Sequence, residues 1–161
     1  MRQAVMALLA AIVATASCVV ATADSVRRSD IYVVDGDTIE ALGKRIRLVG
    51  FDAPELGHHA HCGLERMLAA RATSKLRQMI QLSNDVDLQI VDCSCRPGTA
   101  GTMACNYGRA CGYLTIDGRD AGDVLIAENL AHPLMCEKYS CPRRQPWCPF
   151  QAGKSPEHRV Q

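Results

Sequence analysis

The cysteine content most constrains what this chain can fold into, because nine cysteines occur in only 161 residues. One of them, Cys18, lies in an apolar run near the start of the chain. An even number of cysteines downstream predicts a framework of up to four disulfides, with the connectivity left open by the many possible pairings. The eight downstream cysteines are Cys62, Cys93, Cys95, Cys105, Cys111, Cys136, Cys141 and Cys148.

The start of the chain has the pattern of a secretory signal peptide. Arg2 precedes an apolar run that ends in a small-x-small site closed by Ala23. This pattern predicts a signal peptide at residues 1–23 and an exported protein, periplasmic or secreted, with no membrane association after cleavage. An uncleaved membrane anchor, cleavage after Ala16, and lipid attachment at Cys18 are the alternatives.

Zinc binding is the alternative interpretation of the downstream cysteines. Cys93 and Cys95 form a Cys-x-Cys pair, and the segment 58–62 contains three histidines beside a cysteine. Structural zinc sites more often contain two matched Cys-x2-Cys pairs, which are not found here. Because an oxidising compartment disfavours free thiolates, export favours disulfides over zinc.

Length and composition indicate one globular domain. Hydrophobic residues make up 48% of the chain and charged residues 22%, and the formal net charge is +1. These values exclude a globally disordered chain and a polybasic nucleic-acid binder, so that any contact with nucleic acid has to be a local patch. We expect a monomer with one domain at residues 24–150 and a flexible C-terminal tail at 151–161.

Hydrophobic periodicity predicts five short strands around one long helix. Alternating patterns and turn pairs indicate the strands, a period of three to four residues indicates the helices, and a Gly/Cys/Pro-rich loop is predicted at residues 93–106. The strands are predicted at 31–34, 38–42, 45–49, 86–91 and 112–116, the long helix at 64–81, and a short helix capped by Asp123 at 123–129. This order favours a small closed β-barrel over a sandwich or a parallel sheet.

Three charged motifs lie where these predicted strands end. They are Asp-Gly-Asp-Thr at 35–38, a run from Arg to Glu at 47–55, and Tyr-Gly-Arg at 107–109. In this order, with Ile-Arg-Leu-x-Gly-x-Asp-Ala-Pro-Glu in the second, they resemble the staphylococcal-nuclease-type thermonucleases. The resemblance covers about residues 31–131, and the cysteine-rich segments resemble exported bacterial members of that family.

The resemblance implies a mainly β fold with helices, a disulfide-stapled five-stranded OB-fold barrel. It also implies calcium-dependent hydrolysis of phosphodiester bonds in DNA and RNA. Asp37 and Asp52 would be Ca²⁺ ligands, with the backbone carbonyl of Ala53 as a further oxygen donor. An oxygen-only ligand set is typical of Ca²⁺ sites, and so few charged ligands predict weak affinity.

The same resemblance assigns Arg47 and Arg109 to the scissile phosphate, Glu55 to the general base, and Tyr107 to a place near the bound nucleotide. These residue types suit the chemistry, because the equatorial oxygens of a phosphodiester gain negative charge in the transition state. A planar guanidinium grips such oxygens in a bidentate way, which an ammonium does not.

The C-terminal part of the chain departs from the family pattern. The base-stacking tyrosines expected after Ala131 are replaced by the segment 132–136, and prolines at 142, 146 and 149 exclude a long closing helix. We expect a Cys/Pro-rich tail in place of that helix. The missing aromatics support an alternative function, a catalytically weak or inactive OB-fold binder of single-stranded nucleic acid or another polyanion. A zinc-stabilised interaction protein is a second alternative.

Overall fold

The computed structural model describes residues 26–149, so the predicted signal peptide and the tail at 151–161 lie outside the described residues. The described part contains eight strands and two α-helices. In chain order these are β1 (Tyr32–Val33), β2 (Thr38–Ala41), β3 (Lys44–Leu48), β4 (Gly50–Asp52), α1 (Gly63–Leu82), β5 (Val86–Val91), β6 (Ala110–Ile116), β7 (Arg119–Asp120), α2 (Ala121–Ala127) and β8 (His132–Leu134).

The main sheet is a curled half-barrel of five strands in the order β1-β2-β3-β6-β5, with β7 added to β6. Neighbouring strands are antiparallel except β3 and β6, which pair in parallel with Arg47 opposite Cys111. The long connection through α1 and β5 makes this parallel pair possible. The fold is therefore mixed α/β, and all five predicted strands belong to the curled sheet.

One apolar core joins the sheet to both helices. In β3, Ile46 and Leu48 are buried while the intervening Arg47 points to the other face, as the alternating pattern predicts. Leu76 of α1 and Leu125 of α2 are fully buried in the same cluster. This core lies directly beneath the strands that carry the charged motifs.

The long helix is confirmed, but its first two apolar residues are not part of its buried face. Leu64 and Met67 are exposed, whereas Glu65 in the first turn is buried. The helix begins at Gly63, and Cys62 caps it by accepting a hydrogen bond from the Glu65 amide through Sγ. The apolar face begins at Leu68, which packs against the core, because the first turn lies against the polar loop that precedes it.

The short helix begins earlier than predicted, and Asp123 is not its cap. Asp120 caps α2 instead, because its Oδ1 accepts the amides of Gly122 at 2.7 Å and Asp123 at 3.2 Å. A turn at Asp117 and Gly118 follows β6, and residues 119–122, which the prediction left outside the helix, have regular structure. The short strand β7 occupies the first two of these positions and leads directly into the helix.

A second, two-stranded sheet pairs β4 with β8, which the sequence pattern did not predict. In its register Asp52 lies opposite His132, and Pro133 lies opposite Phe51. The Cys/Pro-rich tail, residues 135–149, follows β8 and contains no helix in its described length, as expected from its prolines. Neither α1 nor α2 is long and apolar enough to cross a membrane, and the same holds for all helices in residues 26–149.

All eight downstream cysteines are paired, which confirms the predicted disulfide framework. Two disulfides staple the loop before β6, one closes a short loop in the Cys/Pro-rich tail, and one ties this tail to the start of α1. The pairs are Cys93–Cys111, Cys95–Cys105, Cys136–Cys141 and Cys62–Cys148. The two cysteine clusters within metal-ligand distance are therefore disulfides, and these thiols are not available to zinc.

Candidate active site

The three charged motifs converge on one open cleft of about 410 Å³. The first motif contributes the turn before β2, the second the end of β3 and the loop after β4, and the third the end of the stapled loop. A residue of the Cys/Pro-rich tail completes the lining. The lining residues are Asp35, Asp37, Arg47, Glu55, His59, His61, Tyr107, Arg109 and Arg144.

Asp37 and Asp52 are brought together as the sequence predicted, and both are buried. The Asp37 carboxylate accepts hydrogen bonds from the Ala53 amide at 2.9 Å and from the Thr38 hydroxyl at 3.1 Å. Asp35 is not part of this pair, because its Oδ1 accepts the Asp37 amide at 3.0 Å and shapes the turn. The two carboxylates therefore come from the turn before β2 and from the end of β4.

Arg47 joins these two carboxylates. Its Nη1 lies 2.5 Å from Asp37 Oδ2, and its Nη2 lies 3.2 Å from Asp52 Oδ1. Its side chain is only 14% exposed. Arg45, its neighbour on the same strand, instead pairs with Glu40 at 2.7 Å on the exposed surface. Each arginine on this strand thus has an acidic partner, and the two do not form a basic patch.

Arg109 differs from Arg47 because it has only neutral partners. It donates hydrogen bonds to the backbone oxygen and Oδ1 of Asn106 at 3.1 Å and 2.8 Å, and to the Thr38 hydroxyl at 3.2 Å. No carboxylate within residues 26–149 forms an ion pair with it. Burial and the nearby charge of Arg47 lower the pKa of the Arg109 guanidinium from its very high usual value. Among the described residues, Arg109 is thus the arginine of the cleft that is held in place without an ion-pair partner, although the more distant carboxylates of Asp37, Asp35 and Glu55 partly offset the lowering of its pKa.

Tyr107, which the resemblance assigns to a place near the bound nucleotide, lines the cleft. Its side chain is 74% exposed, and the Arg109 guanidinium lies 5.7 Å from its ring centroid. Its backbone adopts the left-handed conformation with φ 56°. An exposed aromatic ring beside an arginine is a surface on which a nucleotide base can stack.

Glu55 lies in the cleft but is engaged by Arg144 of the Cys/Pro-rich tail. Arg144 Nη1 lies 2.5 Å from Glu55 Oε1, its Nε lies 2.7 Å from Asp52 Oδ1, and its Nη2 donates to the Ala53 carbonyl at 3.2 Å. Partial burial by itself would lower the pKa of the Arg144 guanidinium. The bonds to Asp52 and Glu55 outweigh this effect and raise the pKa above its usual value. Sequence reasoning missed this residue, because it lies in no motif and is distant along the chain from its partners.

Glu65 was also missed, although a local signal for it exists. Its carboxylate accepts the His61 amide at 2.7 Å and the Glu55 amide at 3.4 Å, so that it shapes the loop that carries the predicted base. A Glu three residues after a helix cap is the pattern of a capping box, with Cys62 standing in the place of the usual Ser or Thr.

The oxygens around Asp52 fit a hard cation. Asp52 is 1% exposed, and its Oδ2 is a buried atom without a hydrogen-bond partner among the described residues. Burial raises the pKa of the Asp37 carboxyl to about 7, and the negative charges of Asp35 and Asp52 contribute to this rise. The positive charge of Arg47 acts in the opposite direction. With the Ala53 carbonyl, the predicted ligand set is made only of oxygen donors, which Ca²⁺ prefers.

No protein-family model matches the chain, and no curated protein matches it at a significant level.

Proposed function

We propose that the protein is an exported, calcium-dependent nuclease that hydrolyses phosphodiester bonds in DNA or RNA. The observation that carries the proposal is the cleft itself. It combines the Arg109 guanidinium, which has no acidic partner within residues 26–149, with the paired carboxylates of Asp37 and Asp52 and with the carboxylate of Glu55. An anion-binding group and a cation-binding group side by side suit a metal-assisted reaction of a phosphodiester.

An OB-fold barrel is the finer fold that we propose for the curled sheet. The OB-fold is a five-stranded, partly open Greek-key barrel. The strand order β1-β2-β3-β6-β5, the parallel pairing of β3 with β6, and the position of α1 before β5 support this assignment. β1 and β5 are not paired in the described residues, which is compatible with a barrel that is open on one side.

Arg109 is the main phosphate-binding residue in this proposal. Its hydrogen bonds to Asn106 and Thr38 hold the guanidinium in the cleft, so little reorganisation is needed when an anion binds. A preorganised donor of this kind stabilises developing charge in a transition state by about 2.7–4 kcal/mol. Arg47 serves as the second phosphate-binding guanidinium and also orients the two carboxylates.

Asp37, Asp52 and the Ala53 carbonyl would hold the calcium ion. When bound, Ca²⁺ would supply positive charge against the phosphate oxygens. Glu55, on the same side of the cleft, is the general base that takes a proton from the attacking water. Tyr107 would stack on a base next to the reacting phosphate and would take over part of the role of the missing tyrosines.

Export is supported by the disulfides. Four disulfides in a small chain are typical of proteins in oxidising compartments. The signal-peptide pattern at residues 1–23 points in the same direction.

Hydrolysis of single-stranded DNA and RNA, measured with Ca²⁺ and with a chelator, tests the proposal. We expect cleavage with Ca²⁺, and a loss of about 100-fold or more in the chelator and in the Glu55→Gln variant, because general-base catalysis contributes this much. Glu40→Gln is the matched control, since Glu40 lies outside the cleft beside Arg45. Equal cleavage in all these samples would contradict the mechanism.

A non-catalytic binder of single-stranded nucleic acid or another polyanion is the second candidate. Two observations favour it: Arg144 engages Glu55, and the residues of β8 provide no tyrosine for stacking. Retained binding of single strands without cleavage, in Ca²⁺, would select this candidate over the nuclease.

A further inference from the structure

Arg144 makes its contacts with the groups that the proposed mechanism assigns to the metal and to the base. Its three bonds go to Asp52, to the Ala53 carbonyl and to Glu55. It takes the place that a cation would take between these oxygens.

The charges of the cleft support this interpretation. The cleft and the buried Asp52, which Arg47 joins to it, supply four carboxylates, Asp35, Asp37, Asp52 and Glu55, against two guanidinium groups, Arg47 and Arg109. With all four carboxylates ionised, two formal negative charges remain, which is the charge that a divalent cation neutralises. Arg144 neutralises one of them from outside the barrel.

The Cys/Pro-rich tail holds Arg144 over the cleft by contacts on both sides of it. Cys141 is bonded to Cys136 before it, and Cys148 is bonded to Cys62 after it. Trp147 stacks on His132, with ring centroids 3.7 Å apart, and His132 lies opposite Asp52 in the β4–β8 pair. These ties give the guanidinium a high effective concentration at the carboxylates.

Arg144 nevertheless remains accessible to solvent. The side chain of Arg144 is 47% exposed, whereas that of Arg47 in the same cleft is 14% exposed. Water can therefore reach Arg144 and solvate its guanidinium when it leaves the carboxylates, which would be far more costly for Arg47.

We propose that Arg144 is a built-in competitor of the metal, which closes the cation site and engages Glu55 until Ca²⁺ displaces it. The inference rests on the proposed function and adds its regulation. While Arg144 is bound, its guanidinium occupies Glu55 Oε1, so this oxygen is not available to a water molecule. The protein then becomes active only where the concentration of Ca²⁺ is high enough to displace the arginine.

Calcium titration by isothermal calorimetry, on the oxidised full chain, measures this competition directly. Arg144→Gln is expected to lower the Kd for Ca²⁺ by about tenfold or more, because charge-assisted bonds to two carboxylates are removed. Arg143→Gln is the matched control, since Arg143 is exposed and makes no ion pair within the described residues. Its Kd should stay within about twofold of the wild type. A Kd for Arg144→Gln equal to or above that of the wild type would overturn the inference.

A second measurement needs no variant of the site. In the wild-type protein, the NMR signal of the Arg144 Nε–H group should lose its protection from solvent exchange as Ca²⁺ is added. Persistent protection at saturating Ca²⁺ would overturn the inference, even if Arg144→Gln did not fold.

Cleavage assays on the same samples separate the two proposals. Tighter Ca²⁺ binding by Arg144→Gln, with no cleavage by either protein, would support the competition and contradict the nuclease function. Equal Ca²⁺ affinity, with calcium-dependent cleavage by both, would overturn the competition and leave the nuclease function in place.

Discussion

The two sides of the cleft are built in different ways. On the barrel side, Asp37, Arg47 and Asp52 are carried by strands or their ends, and they lie above the buried side chains of Ile46 and Leu48. On the other side, Arg144 is carried by a segment without regular secondary structure, which disulfides and one aromatic stack hold in place. Packing against the core therefore fixes the positions of Asp37, Arg47 and Asp52, whereas the disulfides only limit how far Arg144 can move.

The difference affects what each arginine can do. Arg47 is almost enclosed and has two carboxylate partners, so its position is part of the folded state. Arg144 has equally good partners but remains half exposed. Because solvent reaches the side chain of Arg144, a competing cation can displace it from the carboxylates.

The largest expected effect is the loss of stability when the disulfides of the Cys/Pro-rich tail are removed. Removing Cys62–Cys148, which closes a separation of 86 residues, should lower the free energy of unfolding by about 4 kcal/mol. Removing Cys136–Cys141, with a separation of 5 residues, should lower it by about 2 kcal/mol. Denaturant unfolding of the paired Cys→Ser variants measures both. Unchanged stability in the first variant would mean that non-covalent contacts hold the tail, and the comparison would fail.

The next effect concerns the barrel side and its charges. Arg109→Lys should lower kcat/KM for cleavage by about 100-fold or more, because the ammonium loses the planar fork that grips the phosphate. Arg45→Lys is the control, since Arg45 lies outside the cleft and pairs with the exposed Glu40. Its activity should stay within about twofold of the wild type. Similar losses in the two variants would remove Arg109 from its assigned role.

The smallest expected effect concerns the close packing around Gly36, on the barrel side of the cleft. A Cβ at Gly36 would lie 2.7 Å from the Ala53 Cβ and 2.9 Å from the Ala72 Cβ. Gly36→Ala should therefore lower the free energy of unfolding by about 1–3 kcal/mol, and it should also reduce cleavage because the adjacent Asp37 shifts. Gly63→Ala, at the start of α1 where a Cβ would meet nothing within 4 Å, should leave stability unchanged or slightly higher. Thermal unfolding checks both, and equal stability of the two variants would contradict tight packing at Gly36.

Much of the fold could be predicted because its signals are local. Alternation of apolar and polar residues located the strands, and a period of three to four located α1. Two local details escaped prediction: Asp120 rather than Asp123 caps α2, and Glu65 is a buried residue that shapes the loop before α1. The short strand β8 escaped prediction because its pairing with β4 is long-range, and its Pro133 argued against a strand.

The sequence by itself determined the three motifs, the candidate residues within them and the even set of cysteines. Spacing along the chain carries this information, because each motif lies within a few residues at the end of one element. Only the tertiary structure decided which cysteines pair, and that Arg109 has no acidic partner in the described part of the chain. It also decided that Arg144 reaches Glu55 across 89 residues. The physical reason is that such contacts join segments that are far apart in the sequence. Here the disulfides and the parallel β3–β6 pair determine how those segments come together.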